Sequence, residues 1–466
     1  MAIMKEKRGS EDMQERSNAH DNESQFFGQN LNRFMGETER YVHRGISPGG
    51  YYKAVWCRDA SYILRDMFLS GNVYYALKRI NIIWSHQIAP GKEKVVYGRG
   101  SPQMKLLPSI AGPEIETTFE GALPTTIYKS GFSEVYGKNP DIDSTALVIS
   151  TTSWILLRFL NSYDSSKDIL PPNDLASANE FKVEVAKIVD FVVPCMLKAV
   201  EYLTRRDYDK DGLLEQSYNE DWMDTALRTG KIVYSQACWV LALEHLGALL
   251  DGMGKNELHC IIRLHQNTFE SIEKELWSEN AACYVDLLAE SDTTLNRVLT
   301  QDTLLYLVAL TENGRADSKY NQDSSAEQST NFSVCSDKLD KVRLTHRGHC
   351  ALDTERSRLW KDTMPLISEL ELKRSGPWYL STYQYHNYTL WPWITGIEIM
   401  ARNRFSRLEE CKLLLSKLLE KRSHMQSAFY EWIDPNTGLG NGAYPFKIGI
   451  SALNMAVSEI IQNENT

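Results

Sequence analysis

The segment Ser217 to Lys231, SYNEDWMDTALRTGK, gathers Glu220, Asp221 and Asp224 around Trp222 just ahead of a helical apolar pattern. Carboxylates beside an indole suit a sugar, because pyranose hydroxyls donate to carboxylates and the apolar face of the ring lies flat on Trp. A carboxylic acid whose pKa is raised beside an aromatic ring can also protonate a glycosidic oxygen. Asp224 is read as that acid. A plainer reading stays open at this point, since acidic residues near a helix N-terminus also cap free N–H groups and favour the macrodipole.

Four further segments carry similar chemistry, each with a structural alternative. In GGYYKAVWCRDASYILRDMFLSGN (49 to 72), Trp56, Arg58 and Asp59 stand at an expected helix start. The forked donors of Arg and the acceptors of Asp can hold sugar hydroxyls; alternatively the pair is a local brace and Trp56 is core. In NPDIDSTALVI (139 to 149), Asp143 precedes a helix, where capping alone would explain it. In STYQYHNYTLWPWITGIEIMARNRF (381 to 405), His386, Asn387, Trp391 and Trp393 sit at a loop-to-helix junction with Pro392 in the first turn, although a single His is commonly structural. In AFYEWIDPNTGLGNGAYPFKIGIS, Glu431 lies between aromatics ahead of a turn, placed to activate water or merely exposed. The run Asp207 to Gly212 imitates the opening of a calcium loop, but Tyr218 stands where that loop needs Glu, and no metal is expected.

Apolar residues at three- and four-residue spacing predict helices over Ala60–Leu69, Val73–Gln87, Ser144–Leu160, Val183–Leu203, Tyr234–Leu250, Glu257–Leu276, Gln301–Leu310, Trp391–Arg402, Leu408–Lys421 and Ile448–Ile461. Strand-like alternation is scarce. Ten to twelve helices joined by loops that are alternately short and long imply stacked helical hairpins, with the chemistry-bearing long loops gathered at one end of a toroid. Residues 1 to 25 read as a mobile polar tail, and about 312 to 340 as a polar surface insertion in a catalytic domain spanning 26 to 466.

The chain has 466 residues, 42% of them hydrophobic, enough for a large core. A net charge of -10 argues against nucleic acid or an anionic membrane as partner and suits a neutral ligand. Eight scattered cysteines without a CxxC pair suggest neither a disulfide scaffold nor a zinc site. With no secretion-signal pattern and no run of about 18 to 20 apolar residues, a cytoplasmic location is expected. Oligomeric state is not legible.

Taken in order, WCRDASYI, DIDS, DGLLEQSYNEDWMDTALRTGKIVYSQACWVLAL, YHNYTLWPWITG and FYEWIDPNTGLGNGAYPFKIGISA resemble the helical-toroid, six-hairpin glycoside hydrolases. The likeness is greatest to the amylo-α-1,6-glucosidase domain of glycogen debranching enzymes, and glucoamylases are related. The resemblance spans residues 30 to 463 and implies an all-α (α/α)6 barrel that inverts configuration at an α-glucosidic bond, without cofactor. It implies Asp224 as general acid and Glu431 as general base, with substrate contacts at Trp56, Arg58, Asp59, Asp143, Trp222, Arg228, Lys231, His386 and Trp391. An inverting pair is expected about 6.5 to 9.5 Å apart, leaving room for a water. A phosphorylase on the same barrel and a non-catalytic carbohydrate-binding protein are the rival readings.

Overall fold

Among the described residues, six helices are buried on nearly every face and six others bury only a stripe; that difference sorts them into two concentric rings. A computed structural model describes residues 28–41, 45–91, 119–137, 139–163, 178–217, 219–291, 294–312, 338–362, 364–371, 381–419, 421–422 and 425–464. The expected tail over 1 to 25 and the body of the expected insertion lie outside the described residues. The helices are α1 (28–41), α2 (Cys57–Leu69), α3 (Val73–Trp84), α4 (Ile142–Tyr163), α5 (Ala178–Thr204) and α6 (Val233–Gly252). They continue with α7 (Leu258–Ser271), α8 (Leu304–Leu310), α9 (Lys338–Leu359), α10 (Pro392–Arg404), α11 (Leu408–Leu418) and α12 (Lys447–Glu464).

The even-numbered helices form the inner ring. Helix α2 packs on α4, α4 on α6, α6 on α8, α8 on α10, α10 on α12, and α12 closes back on α2. Odd-numbered helices lie outside, with α3 on α2, α5 on α4, α7 on α6 and α11 on α10. This is an all-α (α/α)6 toroid. An inner helix touches neighbours on both sides and an outer helix behind, so most of its faces are buried and its polar residues must find partners there. In α6 every residue from Val233 to Gly247 is buried, and in α10 only Arg404 is not. Helix α6 is also long and apolar enough to cross a membrane, yet 94% of its apolar window is buried inside the protein.

Two helices escape the periodicity reading because their buried stripes are narrow. Helix α1 sends Leu31, Phe34 and Thr38 inward, and Thr38 donates to Asn454 of α12 at 2.8 Å. Helix α9 is heavily charged but buries Leu344, Ala351, Leu352, Glu355 and Leu359. At Gly348 an added Cβ would fall 2.1 Å from the Phe405 ring, so the missing side chain is what lets α9 approach. At the edges of the expected insertion, residues 338–340 belong to α9, and Glu312 is a largely buried partner of Arg404, whose Nη1 donates to it at 2.6 Å.

Short two- and three-stranded sheets cover one end of the toroid. Val55–Trp56 pairs antiparallel with Thr126–Ile127, which pairs with Ser133–Glu134; Gly230–Lys231 pairs with Asp286–Ser291; Trp432–Ile433 pairs with Gly440–Asn441. Each such strand runs beside an inner-helix start, so these ladders stiffen the loops that the sequence marked as chemically rich.

Candidate active site

All six inner helices begin at the same place. Trp56 is the N-cap of α2, with Arg58 and Asp59 in its first turn; Asp143 opens α4; Trp391 caps α10 ahead of Pro392; Phe446 and Ile448 flank the start of α12. Asp224 lies in the loop before α6, and Asp302 in the 3-10 turn before α8. A cavity of about 370 Å³, part of it open at the mouth, is lined there by Tyr52, Trp56, Arg58, Asp59, Trp222, Asp224, Tyr385, Trp391, Trp393 and Glu431.

Asp224 and Glu431, 207 positions apart in the chain, therefore share one cavity. A third of the Asp224 side chain, 35%, is reached by solvent through the cavity, yet the group lies deep among protein atoms. Burial pushes its pKa up to about 7, and the charges of Glu431, Asp221 and Asp59 add to the rise against the pull of Arg58. A carboxyl held protonated near neutrality can donate to a leaving oxygen.

Glu431 is ringed by donors. Its Oε1 accepts from the hydroxyls of Tyr52 at 2.6 Å and Tyr385 at 3.3 Å; its Oε2 accepts from the Tyr51 hydroxyl and the Ala443 backbone N–H, both at 2.8 Å. That set suits an acceptor-only carboxylate. Two glycines make it possible. A Cβ at Gly442, where φ is +76°, would lie 2.4 Å from Glu431 Oε2, and one at Gly50, where φ is +55°, would lie 2.7 Å from Ala443 Cβ. The Gly49–Gly50 turn thus presses against the 443–445 segment and delivers Tyr51 and Tyr52 to Glu431.

Aromatic rings wall the cavity. Trp222 meets Trp391 at 5.2 Å and Trp393 at 5.0 Å, both edge-on, while Trp56 stacks on Tyr136 at 5.0 Å. Edge-to-face packing of this kind fixes the rings against one another. Arg58 Nη2 donates to Asp59 Oδ2 at 3.1 Å, and its Nη1 lies 3.6 Å from Asp143 Oδ2. Against the cost of burial, these carboxylates hold the Arg58 pKa well above its ordinary value. Asp143 thus reaches the cavity through Arg58, and Tyr234 donates to it at 3.3 Å.

Four sequence-assigned contacts lie off the cavity lining, Asp143 behind Arg58 and three others. His386 sits behind the wall, stacked on Trp391 at 4.8 Å and sharing a 2.9 Å hydrogen bond with the Thr225 hydroxyl; burial, helped by Arg58 and Arg228, drives its pKa well below the ordinary histidine value. Its Nδ1 is 3.7 Å from Asp224 Oδ1, beyond hydrogen-bond reach. Arg228 is buried beneath the cavity, donating to Asp221 at 3.0 Å, to Asp286 at 2.7 Å and to Asp302 at 2.7 Å, while Trp222 Nε1 donates to the same Asp302 at 2.7 Å. It anchors Trp222. Lys231 turns away altogether: its Nζ binds Asp209 at 2.7 Å and also Asp211. The strand Gly230–Lys231 alternates side chains, and Lys231 leaves on the face of the acidic loop. Asp207, Asp209 and Glu215 of that loop lie close enough to hold a cation, but the Lys231 amine already meets the loop's charge.

These placements make opposite demands on two cations. Arg228→Met leaves buried carboxylates unpaired and is expected to destabilise the fold by about 3 to 5 kcal/mol, measured by denaturant unfolding. Lys231→Ala breaks a partly exposed pair, is expected to cost at most about 1 kcal/mol, and leaves KM for a cleaved glycoside within about twofold, whereas a KM rise of about tenfold would put Lys231 back on the substrate.

No family model and no curated protein matches this chain. Among solved structures it is similar to a GH63 mannosylglycerate hydrolase from Thermus thermophilus in complex with glucose, at 15% identity and TM-score 0.57, covering 91% of this chain and 99% of that one. A glycosidase variant in complex with glucose matches at 11% identity and TM-score 0.51 over 93% and 96% of the two chains. An uncharacterized conserved protein from Thermus thermophilus matches at 14% identity and TM-score 0.56 over 91% and 98%. The toroid is thus a fold shared with glycoside hydrolases.

Proposed function

We propose that this protein is an inverting glycoside hydrolase acting on α-glucosidic bonds. The observation that carries the reading is the placement of Asp224, whose pKa burial raises to about 7, and a donor-ringed Glu431 on one aromatic-walled cavity. Asp224 gives its proton to the departing glycosidic oxygen as the bond to the anomeric carbon lengthens. Glu431 takes a proton from a water that attacks the opposite face. The positive charge that builds on the sugar ring is faced by Trp222, Trp391 and Asp59, and Arg58 with Asp59 grips hydroxyls.

The glucose-bound structural neighbours support glucose in this cavity. The sequence motifs support α-1,6 cleavage as in amylo-α-1,6-glucosidases, or α-1,4 cleavage as in glucoamylases, on glycogen-like or short oligosaccharides. Incubating the protein with isomaltose, maltose, branched short glucans and glucosylglycerol-type glycosides, in buffer with and without phosphate, with the first-released anomer followed by proton NMR, decides among these. β-Glucose is expected first. Release of α-glucose first would make the pair a retaining one, and strict dependence on phosphate would make the enzyme a phosphorylase.

A further inference from the structure

Glu431 has no place for the water it is meant to activate. A carboxylate offers about four lone-pair positions, and Tyr52, Tyr385, Tyr51 and the Ala443 N–H occupy them. A general base must accept a hydrogen bond from its water before taking the proton. Granted the reading of Glu431 as base, one of the four donors has to leave.

Three of the four are held. The Ala443 N–H belongs to a reciprocal pair, because the Glu431 N–H donates back to the Ala443 carbonyl at 3.0 Å. Tyr52 is wedged edge-on to Trp56 at 5.6 Å and lies 6.1 Å from Phe446. Tyr385 is packed against His386 at 4.2 Å and Trp391 at 5.2 Å. Tyr51 differs: it is 59% exposed, its ring leans on Tyr52 at 4.6 Å, and it follows two glycines whose φ values are +98° and +55°. Its hydroxyl can leave Oε2 by a swing of the ring into solvent, without unpacking the wall.

We infer that Tyr51 is a displaceable stopper: in the free enzyme its hydroxyl holds the nucleophilic water's position on Glu431 Oε2, and it swings out when substrate and water enter. It is a positioning residue that sets the fraction of enzyme ready to bind. While Tyr51 sits on Oε2 the productive complex forms only from the minor open state, which lowers apparent affinity in proportion to that state's population.

Tyr51→Phe keeps the ring and deletes the hydroxyl, and steady-state kinetics on the α-glucoside that the wild type cleaves fastest give the test. The expected result is a kcat/KM raised about two- to tenfold, chiefly through KM, with kcat not lowered, while Tyr52→Phe and Tyr385→Phe lose activity. A Tyr51→Phe variant that is unchanged, or that falls in kcat like the Tyr52 variant, overturns the stopper. A crystal structure soaked with glucose gives a readout independent of turnover: a water on Oε2 with the Tyr51 hydroxyl moved away is expected, and Tyr51 still bonded to Oε2 beside the sugar overturns the proposal. Failure of the underlying reading is recognised separately, by a Glu431→Gln variant that keeps its activity.

Discussion

Asp224→Asn is expected to lower kcat by about 100- to 10,000-fold on a natural glycoside, the range that a positioned acid contributes. The amide keeps the shape and the hydrogen bonds but has no proton to give. On a glucosyl fluoride, whose leaving group departs without protonation, the same variant is expected to retain most of its rate. That contrast separates loss of the acid from loss of the site. In the wild type the acid is present while Asp224 is protonated, so activity is expected to fall as pH rises through about 7, and this basic limb disappears in the variant. Stability is lost in the same direction, over a lower pH range. Because Asp224 in the fold titrates near 7, above the 3.8 of a free Asp side chain, the folded state binds the extra proton between those values. Ionising it is a penalty absent below about 3.8, growing up to about 7 and constant above. Asp224→Asn should therefore raise the Tm at pH 8 and leave it nearly unchanged at pH 4, a change that an unfolded or misfolded variant cannot mimic. Near-normal turnover of the natural glycoside by this variant would remove Asp224 from the mechanism.

Glu431→Gln is expected to cost a comparable factor, about 100- to 10,000-fold in kcat, but with a different signature. Departure of fluoride still requires an attacking water, so the fluoride that rescues Asp224→Asn is not expected to rescue Glu431→Gln. The amide also puts an NH₂ where hydroxyls of Tyr51, Tyr52 and Tyr385 now donate, so some of these must turn their hydrogens away. Binding of glucose by calorimetry is expected to survive within about tenfold, since the stacking walls and the Arg58–Asp59 pair are untouched. Full activity on the fluoride, or loss of glucose binding equal to the loss of rate, would mean that Glu431 holds the sugar instead of moving a proton.

How much of this was legible before any fold was known varies from residue to residue. Helix positions in the inner ring were clear because a helix buried on all sides carries an unbroken apolar register, and Pro392 announces the start of α10. Helices α1 and α9 were hidden because an outer helix needs only a narrow stripe, and in α9 part of that stripe is Glu355, buried against Arg402. Trp56, Arg58, Asp59, Trp222 and Trp391 were found as residue types in distinctive segments, and all five line the cavity. Tyr51, Tyr52 and Tyr385 were overlooked although they stand in those same segments, in GGYY and YQYH. Tyrosine in an aromatic-rich chain gives no sign of which hydroxyl will reach a carboxylate. The double glycine was the available signal, since a turn needing two positive φ values implies close approach of another backbone.

Residue chemistry, the periodicity of the inner helices and the order of the segments were properties of the amino-acid sequence itself, because each depends on neighbours a few positions away. The closing of six helices into a ring decided the rest. It brought position 224 to 431, set Asp302 between Arg228 and Trp222, and turned Lys231 to the acidic loop. Such relations depend on strand alternation, cap direction and which faces must be buried together, and no local pattern encodes a contact between residues that meet only when the toroid shuts.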